Sequence, residues 1–290
     1  GPHLHGDGKG STRDVKRAHR ETMRWLVLGM GPPLGGSPPG IVAGSSPPPT
    51  VHDARGRAFS GSPLTLAHLD RTNVQCYRRC VDGRPLSNPP NPWASSAIEY
   101  LEEIPEARLE VYEDHTREIV AHNTSPDVGF SYSVNPYRGC THACAYCYAR
   151  PGHEYLSLGA GTDFERRIVY KPDAAALLRE AFDAPRWRGE LVAFSGVTDC
   201  YQPLERALGL TRGCLEVCAE YQNPVAVITK SPLVERDVDV LADLARRARV
   251  RVSVSVPFWT EDHARALEPF VTTPARRLRI VERLAAAGVP

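Results

Sequence analysis

From about residue 126 onward, short apolar runs alternate with segments whose apolar residues recur every three or four positions. Phe130 to Val134 predicts a short strand. Asp173 to Phe182 predicts a helix, with Ala175, Leu178, Ala181 and Phe182 on one face. Leu191 to Phe194 is continuously apolar, as a parallel strand buried on both faces must be. Leu204 to Tyr221 predicts a helix with Pro203 near its first turn. Val225 to Thr229 is a β-branched strand, and Val238 to Ala248 is helical. Val250 to Val256 alternates Val with Arg and Ser and predicts a strand. Pro274 to Ala287 predicts a helix stopped by Gly288. Strand followed by helix, four times over, predicts an α/β fold of parallel strands with crossover helices, closed as a barrel or left as an open sheet. In both arrangements ligands sit at the C-terminal ends of the strands.

The pattern is absent upstream. Residues 1–60 read as a disordered segment, because Gly31 to Thr50 is dense in Pro, Gly and Ser and cannot bury enough apolar surface to offset its ordering entropy. Residues 61–125 read as a loop-rich extension, with Leu86-Ser87-Asn88-Pro89-Pro90-Asn91-Pro92 extended or turning. Residues 126–290 are the α/β unit. The chain starts without Met and stops directly after the fourth helix, so it is expected to be a fragment.

Composition changes this picture little. Hydrophobic residues make 42% and charged residues 24%, ordinary for a globular chain, and the net charge of +1 commits the whole molecule to neither nucleic acid nor membrane. The apolar run Trp25 to Met30 is too short to span a bilayer, and there is no secretory leader pattern, so a cytoplasmic protein without membrane partners is expected. Eight cysteines change the picture more. They are Cys76, Cys80, Cys140, Cys144, Cys147, Cys200, Cys214 and Cys218, and in such a chain they speak for metal or redox chemistry before disulfides.

The tightest cluster lies in Asn135-Pro-Tyr-Arg-Gly-Cys140-Thr-His-Ala-Cys144-Ala-Tyr-Cys147-Tyr-Ala-Arg150, on the loop after the first predicted strand. The spacing is C-x3-C-x2-C. A cubane [4Fe-4S] cluster takes one thiolate per iron, so Cys140, Cys144 and Cys147 would leave one iron open. An open iron can chelate the amino and carboxylate groups of S-adenosylmethionine (SAM) and pass it one electron. The competing reading is a zinc knuckle, which needs a fourth ligand from His142 or a distant cysteine.

These residues resemble the radical SAM superfamily, in the branch related to spore photoproduct lyase and described as DNA repair photolyase-like. The resemblance runs from about Gly83 to Pro290. Besides the cysteine segment it is carried by Gly83 to Pro90, Ser125 to Phe130, His153-Glu-Tyr155, Thr198-Asp-Cys-Tyr-Gln-Pro203, Ile228-Thr-Lys-Ser231, Leu267-Glu-Pro269 and Leu284 to Pro290. It implies a partial (β/α)6 barrel, here stopping after the fourth βα unit, with a [4Fe-4S] cluster and SAM as cofactors. It implies a 5′-deoxyadenosyl radical that abstracts hydrogen from a substrate, and an electron donor such as flavodoxin or ferredoxin. A chain lacking strands five and six is expected to be unstable or inactive by itself.

The resemblance also places contacts. Tyr146 falls where the family approaches adenine. Ser195, Gly196, Thr198 and Asp199 end the second strand, which in the superfamily touches the amino group of SAM; the plainer reading is a strand-to-helix turn with Asp199 near an N-cap. Lys230 ends the third strand and can pair with the methionine carboxylate, or be an exposed loop lysine. Ser253 and Ser255 share a face of the fourth strand, with Ser255 nearer the ribose, or pack as small residues. Cys200 follows Asp199, near the strand end where spore photoproduct lyases keep a hydrogen-donating cysteine; the local sequence differs.

Other features have plainer readings. Cys214 and Cys218, at i and i+4 on a helix, read as small buried apolar residues, and Cys76 and Cys80 as surface thiols. Arg166-Arg167, Arg276-Arg277 and the Arg186-Trp187-Arg188 triplet read as solvated surface, although the last could serve single-stranded nucleic acid. Three functions remain in play: a radical enzyme on DNA, RNA or a nucleotide; a radical enzyme on a peptide or metabolite; and a zinc- or cluster-binding module without catalysis. Oligomeric state leaves no mark on the sequence.

Overall fold

The computed structural model describes residues 84–92, 106–126 and 128–290. The segment read as disordered, most of the loop-rich extension, and Cys76 and Cys80 lie outside the described residues. In chain order come β1 (Arg84–Pro85), β2 (Glu106–Ala107), β3 (Glu110–Glu113), β4 (Val120–His122), β5 (Tyr132–Val134) and β6 (Tyr137–Arg138). A 3-10 helix (Arg150–Leu156), α1 (Thr162–Arg166), β7 (Arg167–Tyr170), α2 (Ala174–Asp183) and β8 (Val192–Phe194) follow. The remainder is α3 (Glu205–Leu208), α4 (Leu210–Glu220), β9 (Val225–Thr229), a second 3-10 helix (Pro232–Asp237), α5 (Val238–Arg247), β10 (Val250–Val254), α6 (Glu261–Leu267) and α7 (Pro274–Ala286).

The main sheet has the order β10-β9-β8-β5-β4. Strands β5, β8, β9 and β10 run parallel, and β4 adds to the edge antiparallel to β5. Val134 pairs with Phe194 and Phe194 with Val227, so the parallel strands finish along one edge. The four predicted βα units are therefore present. A second sheet, β3-β7-β6, and the β1-β2 pair were not visible in the hydrophobic pattern.

Helix α2 presents Ala174, Leu178 and Phe182, and α5 presents Val240, Leu241 and Leu244, to the core that also contains Val134, Val192, Phe194, Val225 and Val227. Each such side chain, fully buried, stabilises by about 1.5–3 kcal/mol. Cys214 and Cys218 on α4 belong to this core, as small apolar residues do. The predicted continuous helix from Leu204 to Tyr221 is corrected to two. Gly209 adopts φ 64, ends α3 in the left-handed region and starts α4, a break that glycine makes without steric cost.

Candidate functional site

Strand β5 ends at Val134, and the chain then leaves the main sheet to form β6 beside β7. Gly139 turns it back with φ +76; a Cβ there would stand 2.9 Å from the Phe164 carbonyl oxygen and from Ile168 Cδ1. Cys140 follows, its N–H donating to that same carbonyl at 2.8 Å. Successive turns close as Ala143 N donates to Cys140 O (3.2 Å), Cys147 N to Cys144 O (3.3 Å) and Arg150 N to Cys147 O (3.4 Å). The three cysteines thus ride one wound loop at the C-terminal edge of the parallel strands. Cys140 and Cys144 are buried and Cys147 is half-buried.

Buried polar side chains fasten this loop to the end of β8. Gln202, without exposed surface, donates through Nε2 to Gly139 O (3.1 Å) and accepts through Oε1 from Thr141 N (3.2 Å). Thr198 donates its hydroxyl to Gly139 O at 2.6 Å. Asn135 Oδ1 accepts from Gly196 N (2.9 Å) and Val197 N (3.1 Å), and Tyr148 donates to Gly196 O (2.6 Å). On the far end of the loop, the Arg150 guanidinium donates to Cys144 O, Ala160 O, Gly161 O and the Glu165 carboxylate, and lies 5.3 Å from the Phe164 ring centre. The loop's crest reaches the fourth βα connection: Ala145 N donates to Leu267 O (2.8 Å), and Tyr146 donates its phenol to Glu268.

His142 gives the loop its charge pattern. Its Nδ1 stands 3.4 Å from Asp199 Oδ2, and both side chains are buried. Burial works against the Asp199 charge, but His142 and donors from Lys230 N and Thr229 hold its carboxyl down to about 2. Burial opposes protonation of His142, and the neighbouring Cys140 and Asp199 overcome it, raising the imidazole to about 10. Burial also pushes Cys140 up, yet His142 beside it leaves that thiol below its ordinary value. Burial raises Cys144 and Cys147, and the Lys230 cation only partly offsets it.

The sequence-predicted residues fall into three groups. Tyr146 and Lys230 meet at the loop's crest, Lys230 Nζ being 5.7 Å from the Tyr146 ring centre, while Ser255 lies beside the end of β9, its N donating to Thr229 O at 2.9 Å. Ser195, Gly196, Thr198 and Asp199 form the turn beneath the loop, and their polar atoms are engaged with the loop, within the turn and, for Asp199, with the end of β9. Ser195, at φ 80, accepts from Cys200 N (3.0 Å), and Asp199 Oδ1 accepts from Tyr201 N (2.9 Å). Cys200 closes this turn and differs from the other predicted site residues in its surroundings: it has no exposed surface, belongs to the main core, and burial raises its thiol well above the ordinary range.

The sequence does not pick out Asn135, Arg150, Gln202, Glu268 or Arg277 as functional positions, and offers His142 only as a candidate zinc ligand. Asn135, His142 and Arg150 lie in the cysteine segment, Gln202 in Thr198 to Pro203 and Glu268 in Leu267-Glu-Pro269, so a polar residue inside a segment that carries the resemblance was the available signal; Arg277 lies in none of them. Three surface readings are corrected, each at one residue. Arg166 and Arg277 are buried, and Trp187 packs on Phe182 at 5.0 Å while donating to Asn223 Oδ1 at 2.9 Å. An arginine such as Arg277 on an amphipathic helix looks solvated because sequence does not reveal the buried Glu268 carboxylate that pairs with it.

Among the described residues no three His, Cys, Asp or Glu side chains are drawn up around a common point. The donor set nevertheless fits an iron–sulfur cluster in its chemistry: three free thiols on one short loop, two buried and one half-buried. His142, the candidate fourth zinc ligand, is committed to Asp199 and Cys140. No helix among the described residues is long and apolar enough to cross a membrane.

Comparison with known proteins finds a family match over residues 134–290, more than half of the chain, to the radical SAM superfamily. An uncharacterized protein of Mycobacterium tuberculosis is 41% identical over 160 residues, 55% of this chain and 47% of that protein. One of Methanocaldococcus jannaschii is 27% identical over 161 residues, 56% and 58% of the two chains. The chain spans about half the length of the curated relatives it matches. Among solved structures, spore photoproduct lyase complexed with dinucleoside spore photoproduct is similar with a TM-score of 0.46 and 15% identity, over 61% of this chain and 48% of that one. A variant of that lyase with bound AdoMet gives 0.43 and 16%.

Proposed function

Because the chain belongs to the radical SAM superfamily, we propose that Cys140, Cys144 and Cys147 ligate three irons of a [4Fe-4S] cluster and that SAM binds the fourth. The observation that carries this reading is the cysteine loop itself, wound at the C-terminal edge of four parallel strands and fastened to the strand ends around it. When bound, the cluster supplies one electron to SAM and so yields the 5′-deoxyadenosyl radical that abstracts hydrogen from a substrate.

The chain's own residues divide the remaining work. Lys230 offers a cation to the methionine carboxylate, and the Tyr146 ring and Ser255 face the nucleoside part. Thr198 and Asp199, expected to contact SAM, are assigned to holding the cysteine loop, with Ser195 and Gly196 shaping the turn below it. We assign Cys200 to core packing rather than to hydrogen donation. The parallel strands are read as part of a partial (β/α)6 barrel. A reductant of the flavodoxin or ferredoxin type and a cytoplasmic setting, where thiols stay reduced, complete the reading. Salt-dependent DNA or RNA binding would separate a nucleic-acid substrate from a peptide or metabolite.

The test is anaerobic reconstitution with iron and sulfide, then addition of SAM and dithionite. About four irons per chain are expected, with release of 5′-deoxyadenosine, both lost in Cys140→Ala, Cys144→Ala and Cys147→Ala. Stoichiometric zinc without iron would replace this reading with a zinc module.

A further inference from the structure

Arg277 on α7 and Glu268 in the connection before it form an ion pair whose side chains have no exposed surface. Taking both charges out of water costs more than their attraction returns unless their remaining atoms are also satisfied, and apolar side chains of equal volume would pack at least as well. Core packing therefore does not account for the pair. What it reaches does. Arg277 donates through Nε to Thr272 O (2.9 Å) and through a terminal nitrogen to Ser255 O (3.1 Å), just past the end of β10. Glu268 uses one oxygen for Arg277 and the other for the Tyr146 phenol. The residue before it, Leu267, accepts from Ala145 N at 2.8 Å. Beyond its own connection, the pair's bonds thus end on two elements of the site, the crest of the cysteine loop and the fourth strand end.

Tyr146 shows why this matters. Its ring is 44% exposed and is touched edge-on by Phe258 at 5.9 Å, with Lys230 Nζ at 5.7 Å. With this much of Tyr146 exposed, the bond from its phenol to Glu268 is the polar contact that ties it to the fourth βα connection. Glu268, buried, is in turn immobilised by Arg277.

We propose that Glu268 and Arg277 are positioning residues that fix the cysteine loop against the fourth strand end, setting the distance between Tyr146 and Ser255 across which SAM binds. This deepens the reading above and rests on it for the identity of the ligand. The closing experiment has two arms, one independent of any cofactor. The first measures the rate at which an aromatic disulfide probe modifies Cys144 and Cys147 in the metal-free chain. The second measures iron content and SAM affinity after reconstitution. The variants are Glu268→Leu with Arg277→Met, which removes both charges together, and the milder Tyr146→Phe, which removes only the phenol hydroxyl.

In each variant the two thiols are expected to react about tenfold faster than in the unaltered chain, with the melting temperature held within a few degrees. Iron content is expected to be unchanged and SAM affinity to fall about tenfold, the scale of losses when groups that orient ligands are removed. Thiol reactivity at the unaltered rate in both variants would overturn the proposal. If the unaltered chain takes up no iron, the reading of the ligand falls while the thiol rates still decide whether the pair positions the loop.

Discussion

Arg150 and Arg277 both hold the cysteine loop, one from within its own segment and one from a helix far along the chain, and they do different work. Arg150 is partly exposed and spends its donors on backbone carbonyls of Cys144, Ala160 and Gly161 and on the buried Glu165. It stitches the loop to the segment that follows it. That segment is pinned again by the strand-like stretch near residue 87: Ser87 N donates to Thr162 Oγ1 (2.6 Å), Thr162 N returns to Ser87 O (3.1 Å), and Gly161 has no room for a Cβ beside Ser87 O. Arg277 makes no bond to the loop at all and acts through Glu268. The loop's base is thus held by direct bonds to its neighbouring segment, while its crest is held at one remove, through a buried ion pair that also reaches the end of β10.

The largest effect that would sharpen this contrast is at the base. Arg150→Ala should destabilise the protein by about 3–5 kcal/mol, because a buried carboxylate loses its guanidinium and three carbonyls lose donors. Arg150→Lys should recover little of it, since an ammonium cannot reproduce the planar fork. Urea unfolding measures both. A loss under about 1 kcal/mol for Arg150→Ala would erase the distinction from the crest.

Acid should weaken the same side. His153 lies on the 3-10 helix that Arg150 begins, edge-on to Phe164 at 5.5 Å and bonded to Arg167 O at 3.0 Å. Burial, the dominant cause, holds its imidazole down to about 4. The unfolded chain binds that proton near pH 6.5 and the folded chain does not, so stability falls as pH drops from about 6.5 to about 4, by at most about 3 kcal/mol, and levels off below. A His153→Gln variant should show a flatter profile over that window. An unchanged slope would locate the acid sensitivity elsewhere.

The smallest effect belongs to Tyr148, whose single bond to Gly196 O joins the loop to the turn after β8. Tyr148→Phe should cost about 1 kcal/mol in thermal unfolding, the worth of one partly exposed hydrogen bond. A larger loss would mean that the turn, and not Arg150, carries the base.

Much of this architecture is legible in the residues. Leu191 to Phe194 and Val225 to Thr229 declare buried parallel strands, and the cysteine spacing declares that three thiols share one loop, because both depend on short-range pattern. Arg150 lies within reach of the same reading, being three residues from Cys147. Arg277 does not. Its partner sits nine residues away and its target, Tyr146, lies in another βα unit, so an arginine on an amphipathic helix looked solvated. Gln202 and Asn135 show the intermediate case: their polarity beside the motif was visible, but the carbonyl and amide they bind are fixed only when β5 and β8 pair. The β6–β7 pairing that bends the chain into the loop involves two residues of β6, too few for any period to register.

The central claim is that three cysteines leave one iron open to SAM. Electron paramagnetic resonance of the reconstituted, dithionite-reduced protein tests it most directly, with spectra taken before and after adding SAM. The account predicts a reduced [4Fe-4S] signal whose g-values shift when SAM is added and which is absent from Cys144→Ala. A cluster signal indifferent to SAM, or a protein that carries zinc and gives no signal, would contradict it.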